Sequence, residues 1–212
     1  DAYKIHVDID PSSISKNIPV AIPIVGDCKR VLAKLLEAVR EELKSYPAGV
    51  IKETRRQWAE QIAEWRRDQP LRYEWSEDVI KPQFVIEELS TLTNGEAFVV
   101  TGVGQHQMWA AQYYRFKHPR MWCTSGGLGT MGYGLPTSMG VQAGQPGRLV
   151  VNIDGDGSFQ MNSQELATCH EERLPVKTII INNGGHGMVR QWQRIIYKER
   201  FSAIDLGPSP DF

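Results

Sequence analysis

Two short strings in the chain carry oxygen chemistry: Gly155-Asp156-Gly157-Ser158 and Asn182-Asn183-Gly184-Gly185. Asp156 and Asn183 stand 27 positions apart, the span of one strand–helix–strand crossover. One carboxylate, one amide oxygen and a backbone carbonyl make an incomplete hard-oxygen shell. Mg²⁺ is held in this way, with phosphate oxygens and water completing the coordination. Gly155 and Gly157 would let the backbone approach those phosphates. Ser158 and the amides opening the next helix would donate to the anion. A calcium loop counted from Asp154 places Asp156, Ser158 and Glu165 at ligand positions, but its sixth position is Phe159, where glycine is required. A dinucleotide reading of Gly102-Val103-Gly104 lacks the third glycine. Taken singly, Asp156 reads as a helix cap and Asn183 as a turn residue. Taken as a pair on one sheet edge, they read as a site for a cation and an anion.

The elements that must position this pair are legible in the hydrophobic pattern. Ala97 to Thr101, Leu149 to Ile153 and Thr178 to Ile181 are short apolar runs that read as buried strands. Helical spacing lies between them: Val85, Leu89 and Leu92 after Pro82, closed by Asn94-Gly95, and a further helix from Gln105 to Phe116. Asp154 to Ser158 reads as the exit loop of the second strand, and Asn162 with Glu165 as a capping box. Continuous apolar strands alternating with helices predict an α/β fold, a parallel sheet with helices on both faces. In such sheets ligands collect outside the carboxyl ends of the strands. Upstream, the runs Tyr3 to Asp10 and Val20 to Val25 read as strands. Asp27 then caps a helix whose apolar face is Val31, Leu32, Leu35, Leu36, Val39 and Leu43. Residues 52–78 read as a polar surface helix, with Trp58, Ile62 and Trp65 packing along it.

Composition excludes several classes. Net charge is −1, so no global basic field exists for nucleic acid or an anionic membrane. No apolar run approaches the roughly 20 residues that span a bilayer. The three cysteines, Cys28, Cys123 and Cys169, show no metal-finger spacing and no disulfide framework. A cytoplasmic setting is expected, with a plastid as the alternative. The chain opens before a strand without Met and closes in the loop Pro208 to Phe212, so a piece of a longer protein is expected.

The pairing of Gly155-Asp156-Gly157 with Asn182-Asn183 resembles the thiamine diphosphate motif of the decarboxylase and carboligase superfamily. Three further strings are similar to the acetohydroxyacid synthase (acetolactate synthase) large catalytic subunit family: Thr101-Gly102-Val103-Gly104-Gln105-His106-Gln107-Met108-Trp109, Thr124 to Gly134, and Gly187-Met188-Val189-Arg190-Gln191-Trp192. The resemblance implies that Asp156, Asn183 and the Gly185 carbonyl bind Mg²⁺. Val103, Gly104, Gln105, His106, Gly155, Gly157 and Ser158, with the backbone of Gly185, His186, Gly187 and Met188, would hold the cofactor's diphosphate end. Gly129 would contact its aminopyrimidine. Met131 and Trp192 are the catalytic positions implied, Met131 holding the cofactor bent and Trp192 lining the substrate channel. The Gly184-Gly185 pair departs from the family's usual residues, a change that a backbone ligand tolerates.

Residues 1–44 would be the end of a central FAD-binding domain, with Asp8, Ile9, Asp27 and Cys28 at the FAD. Residues 45–80 would be a helical linker, and residues 81–212 a truncated domain for thiamine diphosphate and Mg²⁺. The implied reaction decarboxylates pyruvate and condenses the remainder with pyruvate or 2-ketobutyrate, toward branched-chain amino acids. A homodimer or homotetramer with a small regulatory subunit is implied. The family's glutamate that protonates the cofactor lies in an N-terminal domain of a second subunit, so this chain alone is expected to be inactive. Two alternatives remain: another thiamine diphosphate enzyme (a pyruvate oxidase, glyoxylate carboligase or decarboxylase), or a non-catalytic nucleotide-binding α/β domain.

Overall fold

The computed structural model describes residues 2–47, 49–208 and 210–212; Ser209 of the closing loop lies outside the described residues. The chain divides into two compact units, Asp1–Pro70 and Leu71–Phe212.

In the first unit β1 (Ile5–Asp8) and β2 (Ile22–Val25) pair in parallel, Ile5 opposite Ile22 and Asp8 opposite Val25. Asp27 caps α1 (Cys28–Leu43), its carboxylate accepting the Arg30 N–H at 3.0 Å. The next helix, α2 (Val50–Asp68), ends ten residues before the sequence pattern predicts. Pro70 cannot continue a helix, and it disfavours helical geometry in the residue before it. Trp58 and Trp65 meet edge to face with ring centroids 5.3 Å apart. Beyond the helix Tyr73 belongs to the second unit: its hydroxyl donates to Glu87 at 2.7 Å and its ring meets Tyr113.

The second unit runs α3 (Pro82–Leu92), β3 (Phe98–Thr101), α4 (Gln105–Tyr113), β4 (Trp122–Thr124), α5 (Gly134–Gly144), β5 (Val150–Gly155), α6 (Asp156–Gln160), α7 (Leu166–Glu171), β6 (Lys177–Ile181) and α8 (Gly187–Ile196). Its four strands form one parallel sheet in the order β4-β3-β5-β6. All six residues of the central strand β5 are buried. Side chains alternate across a strand, so both faces of the sheet are covered. One face is apolar: Val99, Val151 and Ile153 pack with Ile86, Ala110 and Tyr113 from α3 and α4. The other carries Asn152 and Asp154, whose side-chain oxygens lie against Gly134 at the start of α5.

Three local expectations are corrected. Asp154 and Gly155 belong to β5, and α6 starts at Asp156, so the exit is a direct strand-to-helix step. Asn162 makes no capping bond; its amide instead donates to the Gly132 carbonyl at 2.8 Å. The helix from Gln105 stops at Tyr113.

Candidate cofactor and metal site

Parallel pairing puts the carboxyl ends of β3, β5 and β6 on one edge, and their exits surround a cavity of about 230 Å³. Val103, Gly104, Gln105 and His106 enter from β3 and α4, and Gly129 and Met131 from the loop between β4 and α5. Gly155, Asp156, Gly157 and Ser158 come from the β5–α6 step. Asn183, Gly185 and His186 come from the β6 exit, and Met188 and Trp192 from α8. Gly187 lines a neighbouring cavity that it shares with Gln105 and Asn183. Trp109, Ile181 and Val189 also line the main cavity, a role that the sequence reading did not give them. Helical spacing could have found Trp109, one turn after Gln105 on α4.

The oxygen donors are held by backbone amides. Asp156 is 2% exposed, and its Oδ2 accepts the Gly184 N–H at 2.9 Å. Asn183 Oδ1 accepts the Gly185 N–H at 3.1 Å, and the Gly185 carbonyl accepts the Gly187 N–H at 2.9 Å. Each oxygen keeps a free lone pair. Among the described residues no three His, Cys, Asp or Glu side chains cluster as a metal site. The mixed set of carboxylate, amide and carbonyl suits a hard cation that shares its shell with phosphate and water. A Cβ at Gly157 would fall 3.0 Å from Leu206 and 3.4 Å from His186, so the bare backbone keeps that wall open. The residues present therefore fit Mg²⁺ with a diphosphate.

Beneath the cavity lies a buried polar cluster that sequence reading resolved only in part. Asp154 is fully buried, and burial pushes its carboxyl up to about 6. It accepts the Gly155 N–H at 3.1 Å and the Asn152 amide at 3.4 Å. His106 is 5% exposed, and burial drives its imidazole down to about 4. Its Nε2 lies 3.6 Å from Asp154 Oδ1 and has no hydrogen-bond partner. Ser158 Oγ accepts the N–H groups of Val103 at 3.4 Å and Gly132 at 3.0 Å. That hydroxyl ties the β3 exit and the Met131 loop to the start of α6. A Cβ at Gly102 would collide with the Asp154 carboxylate and the Ser158 hydroxyl, and one at Gly134 with Asn152 and Asp154.

Met131 stands on a loop between Gly129 (φ +72°) and Gly132 (φ +80°), backbone shapes that favour glycine. Ser125 Oγ accepts the Thr130 N–H at 3.0 Å and fixes the loop's base. In the first unit Asp8 ends β1 and Asp27 follows β2, and parallel pairing puts both on one edge. Asp8 accepts the Asp10 N–H at 2.9 Å, and Asp27 is engaged as the α1 cap; Ile9 and Cys28 are exposed.

Residues 102–212 match the model of a family described as thiamine pyrophosphate enzyme, C-terminal TPP binding domain. The chain is 49% identical over 212 residues to the acetolactate synthase isozyme 3 large subunit of Escherichia coli K12, covering 100% of this chain and 36% of that protein. It is 47% identical to the acetolactate synthase large subunit of Haemophilus influenzae, again covering 100% of this chain and 36% of the relative. With the acetolactate synthase of Mycobacterium bovis the identity is 46%, covering 100% of this chain and 34% of the relative. The chain thus spans about a third of the length of the curated relatives it matches.

Proposed function

The chain belongs to the thiamine pyrophosphate enzymes, and from that premise we propose that it carries the cofactor half of the active site of an acetolactate synthase large subunit. The observation that supports this reading best is the meeting of Asp156, Asn183 and Gly185 with Gln105 and His106 around one cavity. Thiamine diphosphate, when bound, supplies an electron sink for the carbon that loses CO₂.

The residues do the rest. Asp156, Asn183 and the Gly185 carbonyl would hold Mg²⁺, whose charge would neutralise the diphosphate. Gln105 and the amides around Gly157 bind its oxygens. His106, neutral at pH 7 because burial lowers its pKa to about 4, presents an uncharged ring beside Gly104 and Gly155. Met131, held on its glycine-flanked loop, props the cofactor's middle. Trp109, Met188, Val189 and Trp192 form the apolar wall that keeps water from the reacting carbon.

The substrates in this reading are pyruvate and a second 2-keto acid, pyruvate or 2-ketobutyrate, in branched-chain amino acid biosynthesis. Asp8, Ile9, Asp27 and Cys28 are the FAD contacts. The working form is a homodimer or homotetramer with a small regulatory subunit, in the cytoplasm or a plastid. No helix among the described residues is long and apolar enough to cross a membrane.

The test supplies the full-length protein with pyruvate, thiamine diphosphate, Mg²⁺ and FAD and identifies the product. 2-Acetolactate is expected. Acetaldehyde, acetate or tartronate semialdehyde would move the protein to a sister enzyme. A folded, cofactor-loaded protein without product would favour a non-catalytic domain.

A further inference from the structure

The wall of the cavity formed by α8 has little to hold it. The helix contains no buried residue, and Trp192 is 51% exposed. Two of its side chains bond locally, Gln193 twice with Ser202 and Arg194 once with Glu199. Among the described residues one side-chain hydrogen bond joins α8 to the elements before it: Gln105 Nε2 donates to Gln191 Oε1 at 2.9 Å. Both partners are partly buried, so water competes weakly for the bond. The other end of the Gln105 amide lies directly on α8, because a Cβ at Gly187 would collide with Gln105 Oε1 and fall 2.8 Å from Asn183 Nδ2. Gln105 is thus laid along the first turn of α8 and fastened one turn further on.

We propose that Gln191 is a positioning residue that latches α8 across the cavity by holding the Gln105 amide. Gln191 lines the neighbouring polar cavity, not the main one, so it acts through Gln105 and through the placement of Met188, Val189 and Trp192. The latch couples the diphosphate side of the site to its apolar side: an α8 that swings away loosens both walls at once. Its effect on the cofactor rests on the thiamine diphosphate reading above, whereas its effect on α8 does not.

The test uses the full-length protein. Gln191→Leu removes the acceptor at similar volume, and Gln191→Glu keeps it. Amide hydrogen exchange is followed without cofactor in peptides covering 187–196, with 150–155 as the internal reference; the Glu variant is scored in this assay alone, where its charge opposes no bound anion. Gln191→Leu is expected to speed exchange in 187–196 and leave 150–155 unchanged, with Gln191→Glu matching the parent. Half-saturation by thiamine diphosphate in the Leu variant is expected to rise about three- to tenfold, the range of one net hydrogen bond. Parent-like exchange in the Leu variant overturns the latch. So does faster exchange in 150–155 as well, or a Glu variant that behaves like Leu. Unchanged cofactor half-saturation beside faster α8 exchange overturns the coupling. If the parent itself does not respond to thiamine diphosphate, the functional reading falls, and the exchange result still decides the latch.

Discussion

The two units are built from the same kinds of element, parallel strands followed by helices, and they differ in what those elements bury. In Asp1–Pro70 no described residue is buried. The apolar stripe of α1, Leu32, Leu35, Leu36, Val39 and Leu43, is exposed along its length. In Leu71–Phe212 every residue of β5 is buried, apolar side chains on one face and Asn152 and Asp154 on the other. Both units carry aspartates at or just beyond their strand ends. In the first, Asp27 has one amide to accept and serves as a cap. In the second, Asp154 and Asp156 are fixed by several elements and shaped into a site. A carboxylate at a strand end is cheap to encode; the covered sheet around it is what makes it chemistry.

The sharpest way to break this comparison is one substitution made in both units. Gly102→Ala drives a methyl into the Asp154 carboxylate and the Ser158 hydroxyl, and is expected to cost on the order of 3 kcal/mol in denaturant melts with loss of cofactor binding. Gly49→Ala meets no atom within 4 Å and suffers only from its φ of +84°. It is expected to cost about 1 kcal/mol and to leave cofactor binding intact. Equal losses would mean that the second unit's packing confers nothing special.

Next is pH. With its carboxyl raised to about 6, Asp154 adds stability below pH 4 that is lost as pH rises to 6. With its ring lowered to about 4, His106 adds stability above pH 6.5 that is lost as pH falls to 4. Between pH 4 and 6 the two slopes oppose and nearly cancel. His106→Gln should uncover the Asp154 term, so the variant is expected to lose on the order of 2–3 kcal/mol between pH 4 and 6, relative to the parent's own curve. Parallel curves would show that the pair does not titrate as placed. The smallest effect belongs to the first unit: Asp27→Ala should cost about 1 kcal/mol of helix capping in thermal melts and leave thiamine diphosphate affinity unchanged.

What could be read from sequence follows the same division. The cores of β3, β5 and β6 were legible because they are runs of Val and Ile. The three-residue β4, Trp122-Cys123-Thr124, is too short to show a pattern. The helix α5 was missed because its buried face is Gly134, Leu135, Ser138 and Gln142, with no apolar period. Asp154 and Gly155 read as loop because a charge and a glycine rarely finish a buried strand; here Asn152, Ser158 and the Gly155 amide surround the carboxylate. The pair Asp156 and Asn183 was legible from spacing, since a crossover returns each strand end to one edge. The amides that aim those oxygens depend on the turn at Gly184 (φ +69°); the Asn183-Gly184 pair announces a turn, but not which oxygens its amides will meet.

The central claim is that Asp156 and Asn183 act on one ion. It is tested most directly by a double-mutant cycle in the full-length protein, reading the Mg²⁺ dependence of thiamine diphosphate affinity in Asp156→Ala, Asn183→Ala and the double variant. Residues that share an ion lose it together, so the double variant is expected to bind no more weakly than the weaker single one, with the Mg²⁺ dependence gone in both singles. Losses that add, or a Mg²⁺ dependence that survives Asp156→Ala, would contradict a shared site.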